Sequence, residues 1–154
     1  MPLYMAELRK SMANPESMAG FAVPGHGPVT IARRIVGRSG DFPGCYVLID
    51  TGRPLYVGIS RKVITRLRQH VTGRGHEDAT LAYRMASSAM SHSMSRKTAV
   101  ADTEFRGLFH EKRDYLRTLD AAFVQIRNSP EMHVFEAYCS MELDTCEWNT
   151  FATH

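Results

Sequence analysis

Two short runs of strand-forming residues, Gly44-Cys45-Tyr46-Val47-Leu48-Ile49 and Leu55-Tyr56-Val57-Gly58-Ile59, flank the turn-forming triplet Asp50-Thr51-Gly52. Aromatic and β-branched side chains favour extended backbone, and so short a connection leaves an antiparallel hairpin as the natural pairing. Gly52 suits the left-handed position that ends a three-residue hairpin loop. Tyr46 would then face Tyr56 directly across the hairpin, with both phenols on one side of the sheet. A two-residue turn would instead send the two rings to opposite faces.

The hairpin runs into a helix expected from about Arg61 to Val71. Ser60 is placed to cap it, and Val63, Ile64, Leu67 and Val71 form an apolar stripe. Arg66 and His70, four residues apart, share one side of this helix at the rim of the stripe. A second helix is expected from Asp78 to Met90, continuing into a Ser/Met-rich stretch, Ser87 to Ser95, that could fray. Phe105, Leu108, Phe109, Tyr115, Leu116 and Leu119 mark a third, strongly periodic helix from Thr103 to Leu119. Ala122 to Ile126 reads as another strand, and Pro130 opens a last helix to about Leu143. The order β-β-α-α-α-β-α implies an α+β domain with a small three-stranded sheet, mixed or antiparallel, flanked by helices. Residues 1–43 read as an N-terminal extension, a short helix followed by the breaker Pro24-Gly25-His26-Gly27-Pro28, and residues 44–154 as the domain itself.

Charge is unevenly distributed. The net value is only +3, yet Arg61, Lys62, Arg66, Arg68, Arg74, Arg84, Arg96 and Lys97 are opposed in their segment only by Glu77 and Asp78. Such a patch fits a polyanion, and Arg61, Lys62, Arg68, Arg74 and Arg84 are candidate phosphate contacts. Few aromatics interleave with them, which favours backbone contact over base reading. Cys45, Cys139 and Cys146 form no C-x-x-C pair, so a zinc ribbon or disulfide framework is unsupported. No stretch approaches the roughly 20 apolar residues of a membrane helix, and the first residues lack a signal-peptide core; the expectation is a cytoplasmic chain with no membrane partner.

Gly44-Cys45-Tyr46, nine residues, then Tyr56-Val57-Gly58 resembles the paired motifs of the GIY-YIG nuclease family, with Cys45 and Val57 in place of the isoleucines. Arg66 and His70 match its catalytic helix, Glu136 its metal-binding glutamate, and Asn149 its asparagine near the domain end. The resemblance covers Gly44 to the C-terminus and implies a metal-dependent DNA endonuclease. In that reading Tyr46 is the general base, Arg66 holds the scissile phosphate, and Tyr56 and His70 position water or phosphate. His70 is the other candidate proton acceptor. Glu136 carries Mg²⁺, or Mn²⁺, and Asn149 holds local geometry. Gly58 lets the helix start approach the strand closely, and Gly44 serves the strand entrance.

The residues themselves are compatible with this chemistry. Glu136 lies on a semi-apolar helix side beside Met132, His133, Cys139 and Leu143, and a poorly solvated carboxylate gains from a hard cation. Magnesium often takes only one or two protein carboxylates, and no D-x-D pair points to a second ion. A free tyrosine titrates near pH 10, so Tyr46 needs nearby positive charge to serve as a base. Weak sequence specificity, or specificity for DNA structure, is expected. The competing readings are a catalytically inactive nucleic-acid-binding module and a nuclease subunit recruited by a partner. A homodimer or a protein partner is compatible with the chain.

Overall fold

The computed structural model describes residues 1–75, 77–92 and 99–151. Ser93 to Ser95 of the Ser/Met stretch, and Arg96 and Lys97 of the basic segment, lie outside the described residues. The elements, in order, are α1 (Pro2–Ala13), β1 (Glu16–Ser17), a 3-10 turn (Met18–Ala22), α2 (Pro28–Ile31) continued by a π-helical turn (Ala32–Val36), β2 (Gly44–Asp50), β3 (Arg53–Ser60), α3 (Val63–Thr72), α4 (Thr80–His92), α5 (Ala99–Arg117), β4 (Asp120–Gln125) and α6 (Ser129–Glu142). From Gly44 onward the order is the expected β-β-α-α-α-β-α. No helix among the described residues is long and apolar enough to cross a membrane.

The sheet is antiparallel throughout and has four strands, ordered β1-β4-β2-β3, where three were expected. The fourth is β1, only two residues long, which pairs Glu16 with Ala121 and Ser17 with Asp120. Two residues are too few for alternation to show in the sequence. Their pairing follows from the next residue, Met18, whose N–H donates to Leu119 O at 2.9 Å and whose side chain is fully buried.

The central strand β2 is buried on both faces. Cys45, Val47 and Ile49 face a layer made by α1 and α6, packing with Met5, Leu8, Val57, Phe135 and Cys139. Tyr46 and Leu48 face the opposite layer, with Tyr56, Ile64, Leu67, Leu81, Phe109 and Leu116. The segment before Gly44 enters both layers. Leu8 of α1 lies in the first, and Met18, Phe21 and Ile31 lie in the second, all without solvent exposure. Each such side chain contributes roughly 1.5–3 kcal/mol on burial.

The hairpin departs from the expected register in two ways. Asp50 pairs with Arg53, so the loop is the two residues Thr51 and Gly52, at φ 49° and 80°. Both positive angles are those of a turn whose twist matches the strands. A bulge then follows between Leu48 and Ile49, with Ile49 opposite Pro54 and Leu48 opposite Tyr56. Pro54 has no N–H for a regular ladder, which makes this edge position a natural place for the irregularity. The shorter turn reverses the side-chain parity and the bulge restores it. Tyr46 therefore pairs with Gly58 rather than Tyr56, while both phenols remain on one face as diagonal neighbours.

Candidate active site

Gly58 explains where the Tyr46 ring goes. A Cβ at Gly58 would overlap the Tyr46 hydroxyl and ring. The glycine thus provides room for a phenol lying across β3, a different use from the helix approach expected of it. Gly44, two residues before Tyr46 on β2, is equally constrained, because a Cβ there would strike the Val124 carbonyl oxygen on β4.

The Tyr46 ring ends at α3, where its hydroxyl lies 2.7 Å from Nε2 of His70. Tyr56 completes an aromatic cluster, with ring centroids 6.2 Å from Tyr46 and 6.0 Å from His70. Tyr46 and His70 are sealed from solvent, and Tyr56 keeps an 8% exposed edge. Nδ1 of His70 is buried and meets no hydrogen-bond partner among the described residues.

Two arginines border this cluster. Half-buried Arg66 donates through Nη1 to Asp78 O at 2.9 Å and through Nη2 to Thr80 Oγ1. These bonds fix its guanidinium at the start of α4. Arg84, one turn further along α4, lies with Cζ 6.0 Å from the Tyr56 ring centre and donates to Trp148 O at 2.8 Å. Burial pushes the Tyr46 hydroxyl well above its usual range, with the Tyr56 charge adding to the rise, and Arg66 opposes this only in part. Tyr56 is also raised, mainly by burial, against the pull of Arg84 and Arg66. His70 falls to about 3, because burial and then the Arg66 and Arg84 charges all disfavour the imidazolium. The positive charge a basic tyrosine needs is present, but burial outweighs it.

Glu136 sits on α6, half-buried, and its carboxyl is raised by burial with His133 drawing it slightly back. Its charge raises the Tyr56 pKa in turn, so the two lie within electrostatic reach. It makes no hydrogen bond or ion pair with any described residue. No group of three His, Cys, Asp or Glu residues that could hold a metal occurs among the described residues. A single desolvated, unpaired carboxylate nevertheless fits a hard cation that completes its shell with water and phosphate oxygens.

Asn149 acts on backbone. Its Oδ1 accepts from Val57 N at 2.8 Å and its Nδ2 donates to Val57 O at 2.6 Å. The side-chain amide therefore extends the sheet by one pseudo-peptide at edge strand β3, between Tyr56 and Gly58.

The remaining basic candidates are scattered. Arg61 and Lys62 are exposed ahead of α3, and Arg74 lies exposed in the α3–α4 loop, lining a cleft with Tyr83 and Phe105. Arg68 is drawn elsewhere, donating to His26 O at 3.1 Å. Ser60 does not cap α3 itself; its Oγ accepts from Lys62 N at 3.0 Å. The helix is capped by Asp41, which accepts from Ile64 N at 2.8 Å and from Thr65 N at 2.9 Å. Nothing local to α3 signals that cap, since Asp41 lies on the far side of the hairpin. Trp148, whose carbonyl anchors Arg84, also had no distinguishing pattern around it.

No family model matches the chain, and no curated protein matches it. Among solved structures it is similar to the GIY-YIG N-terminal endonuclease domain of UvrC from Thermotoga maritima, a tyrosine-to-phenylalanine point mutant bound to the catalytic divalent cation. The TM-score is 0.38 and the identity 13%, over 94% of this chain and 96% of that one. A second such mutant of that domain, also bound to its catalytic divalent cation, gives 0.38 and 14% with the same coverage.

Proposed function

We propose that this chain is a divalent-cation-dependent endonuclease that hydrolyses DNA phosphodiester bonds with a GIY-YIG-type site. The observation that carries the reading is the convergence, around one hairpin, of the Tyr46–His70 pair, Tyr56, Arg66 and Arg84, with the desolvated carboxylate of Glu136 within electrostatic reach of Tyr56. The basic segment around Arg61, Lys62 and Arg74 supports a phosphate-backbone partner.

Glu136 would hold the cation, which when bound supplies charge to polarise the phosphate and stabilise the departing 3′ oxygen. Mg²⁺ and Mn²⁺ both suit one carboxylate with water-filled remaining positions. Arg66, held by Gln69, Asp78 and Thr80, would turn its remaining N–H capacity to the scissile phosphate and stabilise the charge that develops there. Arg84 would add a second positive charge on the same side.

Tyr46 would take the proton of the attacking water. With Tyr46 neutral, its hydroxyl donates to Nε2 of the His70 tautomer protonated at Nδ1; once Tyr46 is a tyrosinate it has no proton to place, and the tautomer protonated at Nε2 donates to its oxygen. Donation from Nε2–H stabilises the tyrosinate at the moment it forms, so His70 serves Tyr46 and does not replace it. Asn149 keeps β3, and hence Tyr56, in register.

One observation favours a second reading. The Tyr46 hydroxyl is sealed from solvent, as expected for an idle nucleic-acid-binding module. Supercoiled, linear and branched DNA incubated with Mg²⁺, Mn²⁺ or EDTA separates the two. The nuclease reading expects cation-dependent cutting that disappears in Glu136→Gln and falls about 10²–10³-fold in Arg66→Ala. DNA bound but never cut under any cation would overturn it in favour of the idle module.

A further inference from the structure

We propose that a cavity beside this cluster receives a nucleobase turned out of the DNA, stacked against Trp148; the inference deepens the nuclease reading and rests on it. The cavity has a volume of about 400 Å³ and is walled by Leu55, Met85, Ala89 and Trp148, with Lys112 and Glu147 also lining it. Its walls are chain neighbours of the site. Leu55 precedes Tyr56, Met85 follows Arg84, and Trp148 precedes Asn149. Arg84 ties the two together, since it lies over the Tyr56 ring while donating to Trp148 O. A nucleotide next to a phosphate held by Arg84 is thereby directed at this cavity.

The lining chemistry selects a base over a phosphate. The apolar walls and the indole offer a stacking surface, which every nucleobase can use. Tyr115, also in the lining, contributes its ring, because its hydroxyl is committed to Asp50 Oδ2 at 2.6 Å. Exposed Glu147 repels phosphate but accepts from exocyclic amines, as carboxylates do from the N4 amine of cytosine. Lys112, which also pairs with Glu111 at 3.3 Å, supplies a donor for a base carbonyl. Thymine, with no exocyclic amine, offers Glu147 less than cytosine does. A volume near the lower end of ligand pockets holds one base with its sugar.

Trp148 is the only tryptophan in the chain, so its emission reads the cavity directly. Wild-type protein in EDTA is titrated with a dye-labelled duplex carrying one unpaired cytosine, with anisotropy and tryptophan emission recorded together. The same duplex with an abasic residue at that position serves as the comparison. Stacking predicts quenched Trp148 emission with the cytosine, lost with the abasic duplex together with about tenfold in affinity. Binding by anisotropy with emission unchanged would overturn the cavity assignment and leave the nuclease reading standing. An absence of DNA binding by either duplex would take down the nuclease reading and the cavity with it. A Trp148→Phe variant, which keeps an aromatic face, retains most of the affinity for the cytosine duplex if the contact is stacking; a loss equal to that of Trp148→Ala would count against it.

Discussion

The Tyr46 hydroxyl and Nε2 of His70 lie 2.7 Å apart with neither side chain reaching solvent. The pair shares one proton position in a place where a charge on either partner is costly. That cost sets the pH behaviour of both the fold and the proposed chemistry.

Acid should weaken the fold through His70. Its ordinary pKa of 6.5 applies when the chain is unfolded, and burial lowers it to about 3 in the fold. Between these values the unfolded chain binds a proton that the folded one refuses, so stability falls as pH drops below 6.5. At pH 5 the loss from this group is about 2 kcal/mol. Urea melts at pH 7 and pH 5 should show that loss in wild type and a smaller one in His70→Gln. Equal losses in both would remove His70 as the cause.

Tyr46 governs the reaction in the opposite pH range. With its pKa held above the usual tyrosine value, kcat/KM for DNA cutting should rise steadily into alkaline pH with no plateau below the ordinary tyrosine range. Tyr46→Phe should abolish cutting, and His70→Gln should lower the rate while keeping an alkaline limb. A plateau near neutral pH in wild type would exclude Tyr46 as the group that titrates.

Gly58→Ala tests the seat of the Tyr46 ring. The added methyl falls where the phenol lies, and overpacking of this kind costs about 1–3 kcal/mol. Removing the ring should relieve it, so Tyr46→Ala combined with Gly58→Ala should be less destabilised than the two single variants added together. Additive losses in denaturant melts would show that the methyl is resisted by something else.

Asn149→Asp keeps the acceptor for Val57 N but sets a carboxylate oxygen against Val57 O, where Nδ2 now donates at 2.6 Å. The expected cost is about 1–3 kcal/mol, with faster hydrogen exchange concentrated in β3. Unchanged exchange there would mean that the strand does not depend on the amide.

Asp41→Ala removes three acceptor contacts from the start of α3, including Thr65 Oγ1 at 2.7 Å. A lost cap costs about 0.5–2 kcal/mol. Ser60→Ala, by comparison, touches only Lys62 N and should cost less; the reverse ranking in thermal melts would restore Ser60 as the cap.

Much of this molecule was already written in its neighbouring residues. The two strand runs, the stripe of α3, the periodic α5 and the Pro-opened α6 follow from patterns that repeat within a few positions, and so the α+β order could be read directly. The strand pattern also puts Tyr46 and Tyr56 on one face, though through a three-residue loop that the chain does not form. A two-residue turn and a bulge at Pro54 change the parity twice; the register depends on where a residue without an N–H can sit in the ladder. The fourth strand, the Asp41 cap and the approach of Arg84 to Tyr56 had no local signal at all. Each exists because residues far apart in the chain are brought together by burial of the two apolar layers, and only packing in three dimensions decides which distant donor meets which acceptor.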